Sequence, residues 1–184
     1  MEKINQVLEY DIPYRMHAVH SLPASLRIIG RYNTDEIMDI VISNMSILVG
    51  NLNNYTNPSI ESGVIHGRAL LEFLGLGEHS GRLVCSKKRR PSDIGIESFG
   101  LQKVTPEAAL ELCSAKFSGV NEDAFVTLIH LANKGIAHTT SSLVIPKDQA
   151  SQLTIAAECI IFLMQNCLYS GLGKEQIKFK FAKL

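Results

Sequence analysis

Apolar residues recur along much of this chain at the three- and four-residue spacings that one buried stripe of a helix requires. From Thr34, the series Ile37, Ile40, Val41, Met45, Leu48 and Leu52 predicts a first helix, with Thr34 as cap and Asp35 and Glu36 in the opening turn. Asn57-Pro58 then reads as a cap followed by proline, opening a segment through Ile60, Val64, Ala69, Leu70, Phe73 and Leu74 that Gly75 and Gly77 end. Residues 77–104 lack sustained periodicity and predict a long irregular connection.

Thr105-Pro106-Glu107 repeats the cap, proline and acid order before Ala108, Ala109, Leu112 and Cys113. Glu122 and Asp123 suit the positive end of the next helix, whose face continues through Phe125, Leu128, Ile129, Ala132 and Ile136. Pro146 restarts a long helix with a broad apolar face, Leu153, Ala156, Ala157, Ile160, Leu163, Met164, Cys167 and Leu168, ending near Gly171 and Gly173. Its most apolar window, Ile155 to Met164, is short for a membrane span and reads as a core helix. The tail alternates Ile177, Phe179 and Phe181 with lysines, as an edge strand or extended arm would. In the first thirty-odd residues, Pro13 and Pro23 interrupt a pattern in which Tyr14, Val19, Leu22 and Leu26 predict a short packed helix or two.

The expected fold class is therefore all-α: an up-and-down bundle of four to five helices in a single domain. Residues 1–33 form an N-terminal extension, 34–171 the core bundle and 174–184 an extended tail, with a long loop at about 77–104.

Composition changes this picture little. The 184 residues are 46% hydrophobic and 20% charged, and 18 basic residues balance 18 acidic ones, so any polyanion must be met by a local patch. The run Lys87-Lys88-Arg89-Arg90 is one such patch, read first as a solvated loop and otherwise as an attractor for a phosphate backbone. Cys85, Cys113, Cys159 and Cys167 form no C-x-x-C pair and read as small buried hydrophobes. No signal-like opening is present, which makes the cytoplasm the default address and leaves no membrane role expected. Walker, dinucleotide and zinc patterns are missing. His17 and His20 could share a helix face but have no third ligand placed beside them, so neither metal nor cofactor is expected.

Chemistry concentrates in Leu131-Ala132-Asn133-Lys134-Gly135-Ile136-Ala137-His138-Thr139-Thr140. This stretch resembles the signature of the HEPN superfamily, a polar residue, usually arginine, followed after four intervening residues by a histidine. Asn133 stands at the arginine position and His138 at the histidine. The surrounding residues look like the N-K-x-[IV]-A-H-x-T form of some bacterial members. Ile65-His66-Gly67-Arg68-Ala69-Leu70-Leu71-Glu72-Phe73-Leu74 is similar to an earlier helix of that group, and Asp93 matches more loosely an acidic residue of the intervening loop.

The resemblance implies a homodimeric helical bundle that cuts RNA without metal, with His138 and Asn133 catalytic and Arg68, Glu72, Lys134, Asp93 and Thr139 lining the substrate site. Imidazole titrates near neutrality and can move a proton, whereas guanidinium holds phosphate through two fixed donors. Asn133 offers only a neutral amide, so the cation opposing a developing phosphorane would have to come from Lys134 or Arg68. Three readings stay open on the residues alone. One is a ribonuclease or RNA-contacting domain with this altered site. The others are a non-catalytic module for a protein partner, in which these residues pin helices together, and a small-molecule or nucleotide-binding bundle. Arg68 and Glu72, four apart, also read as an ordinary intrahelical ion pair.

Overall fold

The computed structural model describes residues 2–86, 90, 92–136 and 147–179. Helix α1 (Glu2–Gln6) passes through a π-helical stretch (Val7–Asp11) into α2 (Ile12–Arg31). Strands β1 (Ile37–Ile42) and β2 (Met45–Asn51) follow, then α3 (Asn53–Leu74), β3 (Leu76–His79) and β4 (Arg82–Cys85). A 3-10 turn at Ile96–Phe99 leads to α4 (Pro106–Ser114) and α5 (Glu122–His130), which continues as a π-helical stretch, Leu131–Ile136. The last rod is α6 (Lys147–Leu163), extended by π-helical Met164–Ser170. The architecture is mainly helical, with two antiparallel two-stranded hairpins, and so is not purely all-α.

Both hairpins fall where the sequence predicts something else. Residues 34–52, expected as a helix, form β1–β2, because β-branched Ile37, Ile40, Val41, Ile42, Ile47 and Val49 favour extended backbone. Ser43 and Asn44 turn the chain with φ of 50° and 65°, the left-handed pair that a two-residue hairpin loop needs. The connection expected to be irregular over 77–104 holds β3–β4, turned at Ser80 and Gly81 with φ of 53° and 76°. Ser86 N–H donates to Gly75 O at 2.7 Å and Val104 N–H to Leu74 O at 2.9 Å, so both ends of this region are tied to the end of α3.

The helices follow the sequence more closely. Thr105 caps α4 by accepting from Ala108 N–H, and Asn121 caps α5 by accepting from Ala124 N–H. Helix α3 begins earlier than Asn57-Pro58 suggests: Asn51 Oδ1 accepts from Asn54 N–H, and Pro58 lies inside the helix. Gly75, at φ 99°, ends it in the left-handed conformation. Pro146, expected to open the last helix, lies outside the described residues.

Residues 2–31, read as an extension, carry much of the core: Ile12, Met16, Val19, Leu22 and Leu26 are buried along one side of α2. They share one hydrophobic core with Ile60, Val64, Leu70, Leu71 and Leu74 of α3, Phe125 and Leu128 of α5, and Leu153, Ile160 and Leu163 of α6. Ser25 donates to Ser59 and Ser59 to Ser21, at 2.9 and 3.1 Å, so the hydroxyls between α2 and α3 satisfy one another. Tyr169 Oη–H donates to Leu8 O at 3.1 Å, tying the end of the last rod to the beginning of the chain.

The segment Gln149–Ser170, with a mean hydropathy of 1.4, is long and apolar enough to cross a membrane by length and composition. Here its Leu153, Ala156, Ile160, Leu163 and Met164 are buried in the core. After Gly173 the described residues of the tail form no helix or strand. Gln165 holds it like a peptide, its Nε2 donating to Ile177 O at 2.8 Å and its Oε1 accepting from Ile177 N–H at 3.0 Å. Phe181, the last apolar position of the expected alternation, lies outside the described residues.

Candidate functional site

Helix α3 presents Arg68 and Glu72 one turn apart, and the π-helical continuation of α5 presents Asn133 toward the same face. All three line a cavity of about 180 Å³, together with Leu76, Gly77, Glu78, Ser86 and Ile129. Glu72 and Ser86 also line an adjoining cavity of about 480 Å³, whose wall includes Asp93, Ser92, Asp11 and Arg15. Arg68, Glu72 and Asn133 thus share one cavity, and Asp93 reaches only the neighbouring one. His138 and Thr139 lie outside the described residues, as does the Lys134 side chain.

Arg68 Nη2 and Glu72 Oε1 are 3.3 Å apart and both side chains are well exposed. This is the intrahelical pair that the spacing allows, worth only about 0.3–0.5 kcal/mol, so Arg68 can exchange Glu72 for a ligand anion at small cost. Asp93 is occupied locally: its Oδ2 accepts from Arg90 N–H at 3.1 Å and its own N–H donates to Arg90 O at 3.0 Å.

The structure also brings in residues that the motif reading missed. His130 Nε2 stands 3.1 Å from Glu78 Oε1, one turn before Asn133. Gly81 N–H donates to the same Glu78 oxygen at 2.7 Å. The Gly81 hydrogen bond, followed by that from His130, lowers the Glu78 pKa below the usual carboxylate value. A fixed carboxylate beside a partly exposed imidazole is a pair able to orient a proton carrier. The three-residue step from His130 to Asn133 was a visible signal; its partner Glu78 was not, because it arrives from a hairpin 52 positions earlier.

Arg15 and His66 form a second unanticipated contact. Arg15 Nη1 lies 2.9 Å from His66 Nδ1, and the Tyr14 ring meets the imidazole edge-on with centroids 5.2 Å apart. Burial first, then the Arg15 charge, lowers the His66 pKa; burial, His17 and Arg27 do the same for His20. Unfolded histidine takes up its proton near pH ~6.5, whereas these folded ones do so only at lower pH. Their contribution to stability is therefore complete above about pH 6.5 and is lost as pH falls from there toward the folded values. Thermal unfolding is expected to show a lower midpoint at about pH 5 than at about pH 7, with a smaller fall in His66→Gln, which keeps an acceptor for Arg15 and cannot titrate. An unchanged fall in that variant would remove His66 from the account.

His17 and His20 face Phe179 of the tail, at centroid distances of 5.0 and 4.4 Å, the second ring stacked on it. Among the described residues no three His, Cys, Asp or Glu side chains converge as a metal site needs. Cys113 and Cys159 are buried, Cys167 is half-buried and Cys85 is exposed. Cys113 Sγ–H lies 3.9 Å from Cys159 O, and the nearby Cys159 thiol, together with burial, pushes the Cys113 pKa up, away from thiolate chemistry.

Compared with models of protein families, with curated proteins and with solved structures, the chain gives no match.

Proposed function

We propose that this protein is a HEPN-like helical bundle that holds RNA or another phosphate-bearing partner at the paired cavities beside α3 and α5, acting as a metal-independent ribonuclease. The observation that carries the reading is the convergence of Arg68 and Glu72 with Asn133, about 60 residues apart in sequence, on one cavity. Ser86 lines both cavities and is followed directly in sequence by Lys87-Lys88-Arg89-Arg90, which puts a basic run next to a cavity residue along the chain. In this reading Arg68 releases Glu72 to hold a phosphate, the Asn133 amide donates to the same group, and His138, five residues further on, moves the proton.

The deciding experiment is cleavage of a mixed RNA pool by the purified chain with EDTA present, beside His138→Ala and Arg68→Gln prepared identically. Cutting that disappears in His138→Ala and weakens at least about tenfold in Arg68→Gln is the expected result. Equal silence from all three proteins, with no RNA retained by the wild type, would overturn it. One observation favours a second reading, a small-molecule or nucleotide-binding bundle: the larger cavity, about 480 Å³, falls within the ~300–1,000 Å³ of small-ligand sites. A saturable thermal shift with a nucleotide panel would select it.

A further inference from the structure

After Gly173 the chain turns back along the last rod and forward along α2. Lys174 N–H donates to Tyr169 O at 2.8 Å, Gln165 holds Ile177 by both its N–H and its C=O, and Phe179 meets His17 and His20. Each step along the tail therefore moves to a lower number on the rod and a higher one on α2. Burial alternates in step: Ile177 and Phe179 are half-buried against the core, whereas Gln176 and Lys178 are exposed. Gln165 is only 7% exposed, so a buried amide is committed to reading the backbone of the passing segment, as a neighbouring strand would.

The groove does not stop at Phe179. A cavity of about 410 Å³ adjoins it, lined by His20 and Pro23 of α2, Glu158, Ile161 and Phe162 of α6, and Phe117 after α4. His20 serves twice, stacked on the Phe179 ring and lining the cavity. We propose that this groove between α2 and the last rod is a peptide-binding site whose ligand is the end of the chain's own tail, with Phe181 in the cavity. Register supports this occupant: Phe181 is the next position of the inward series Ile177 and Phe179, and the two residues of chain between Phe179 and Phe181 reach at most about 7 Å. Direction supports it as well, because Pro23 lies one turn beyond His20 on α2 and Ile161 one turn before Gln165 on the rod. Chemistry agrees. Phe117 and Phe162 meet edge-on with centroids 5.6 Å apart, and a further aromatic ring extends such a cluster. Among the described residues, the charges of Glu158 and Lys116 in the lining cancel, which leaves burial of apolar surface as the main attraction. Seated there, the tail clasps α2 to α6. The inference is independent of the cavities beside α3 and α5 and stands whether or not RNA is bound there.

The sequence has no tryptophan, so Phe181→Trp in the full chain sets a single fluorescent reporter at this position. Its emission is expected to lie to the blue of free indole, and acrylamide to quench it several-fold more slowly than N-acetyltryptophanamide. Ile161→Asp in the same background puts a charge on the cavity wall. It is expected to shift the emission to the red and speed the quenching several-fold, with far-ultraviolet circular dichroism retained. Emission and quenching like those of free indole in Phe181→Trp would overturn the proposal and leave the cavity to another ligand. So would a protected indole that stays protected in Ile161→Asp, which would seat the ring elsewhere. Should Ile161→Asp fail to fold, Phe117→Asp is measured in its place, with the same expected direction.

Discussion

Phe125→Ala is expected to lose about 3–5 kcal/mol of unfolding free energy, lowering Tm by on the order of 10 °C. Phe125 is fully buried and is the largest such side chain among the described residues, on a helix only nine residues long. Phe125 shares the buried core with residues of α3 and α6, and α5 packs against both rods, so the space it vacates cannot collapse freely. The loss combines transfer of the ring to water with the cavity left behind, and Phe125→Leu should retain more than half of the stability that the alanine variant loses. Urea unfolding measures both, and an alanine variant within about 1 kcal/mol of wild type would mean that α5 is not held in this core. The consequence reaches the site: α5 carries His130 and runs directly into the stretch bearing Asn133, so ligand binding at the cavity should fall in the same variant before global unfolding.

Two alanine substitutions of glycine should move stability in opposite directions. Gly63 lies where α3 crosses α2, and a Cβ there would stand 2.7 Å from Leu22 Cβ and 3.1 Å from the Ala18 carbonyl oxygen. Neither neighbour is the end of a flexible side chain, so the helices themselves must separate. Helix propensity favours alanine by about 1 kcal/mol, but opening a packed crossing costs about 1–3 kcal/mol, so Gly63→Ala should destabilise. Gly63→Val adds two methyl groups at the same point and should cost ~3 kcal/mol or more, enough to spread α2 from α3. At Gly30, near the exposed end of α2, an alanine methyl would meet no atom within 4 Å, and φ is not positive. There the propensity term acts alone, and Gly30→Ala should raise stability by about 0.5–1 kcal/mol. Differential scanning calorimetry of the set checks the signs; a stabilising Gly63→Ala would mean that the α2–α3 crossing is loose.

The helical segments were legible because their signals are local. The Thr105-Pro106 cap, the Gly75 stop and the stripe of α5 each depend on a few neighbouring residues, and the chain uses them as read. The segment 34–52 was ambiguous because Ile37, Ile40, Val41 and Leu48 satisfy a helical spacing while the β-branching of the first three favours a strand. Ser43-Asn44 was the tie-breaking turn signal. At the site, Asn133 was read in one motif and Arg68 with Glu72 in a separate helix, and that all three line one cavity was not legible. His130 with Glu78, and Arg15 with His66, were not legible either, because each pair joins segments far apart in sequence.

By itself the sequence determined which stretches from α3 onward are helical, where several of them start and stop, and which side chains turn inward, since capping and periodicity act within one or two turns of chain. Only the tertiary structure decided that residues 2–31 belong to the core, that residues 37–51 extend as a ribbon, and that Glu78 meets His130 beside Asn133. Those outcomes depend on which surfaces meet after the chain has folded back on itself, and burial and pairing between distant segments outweigh the small local preferences that the order of residues displays.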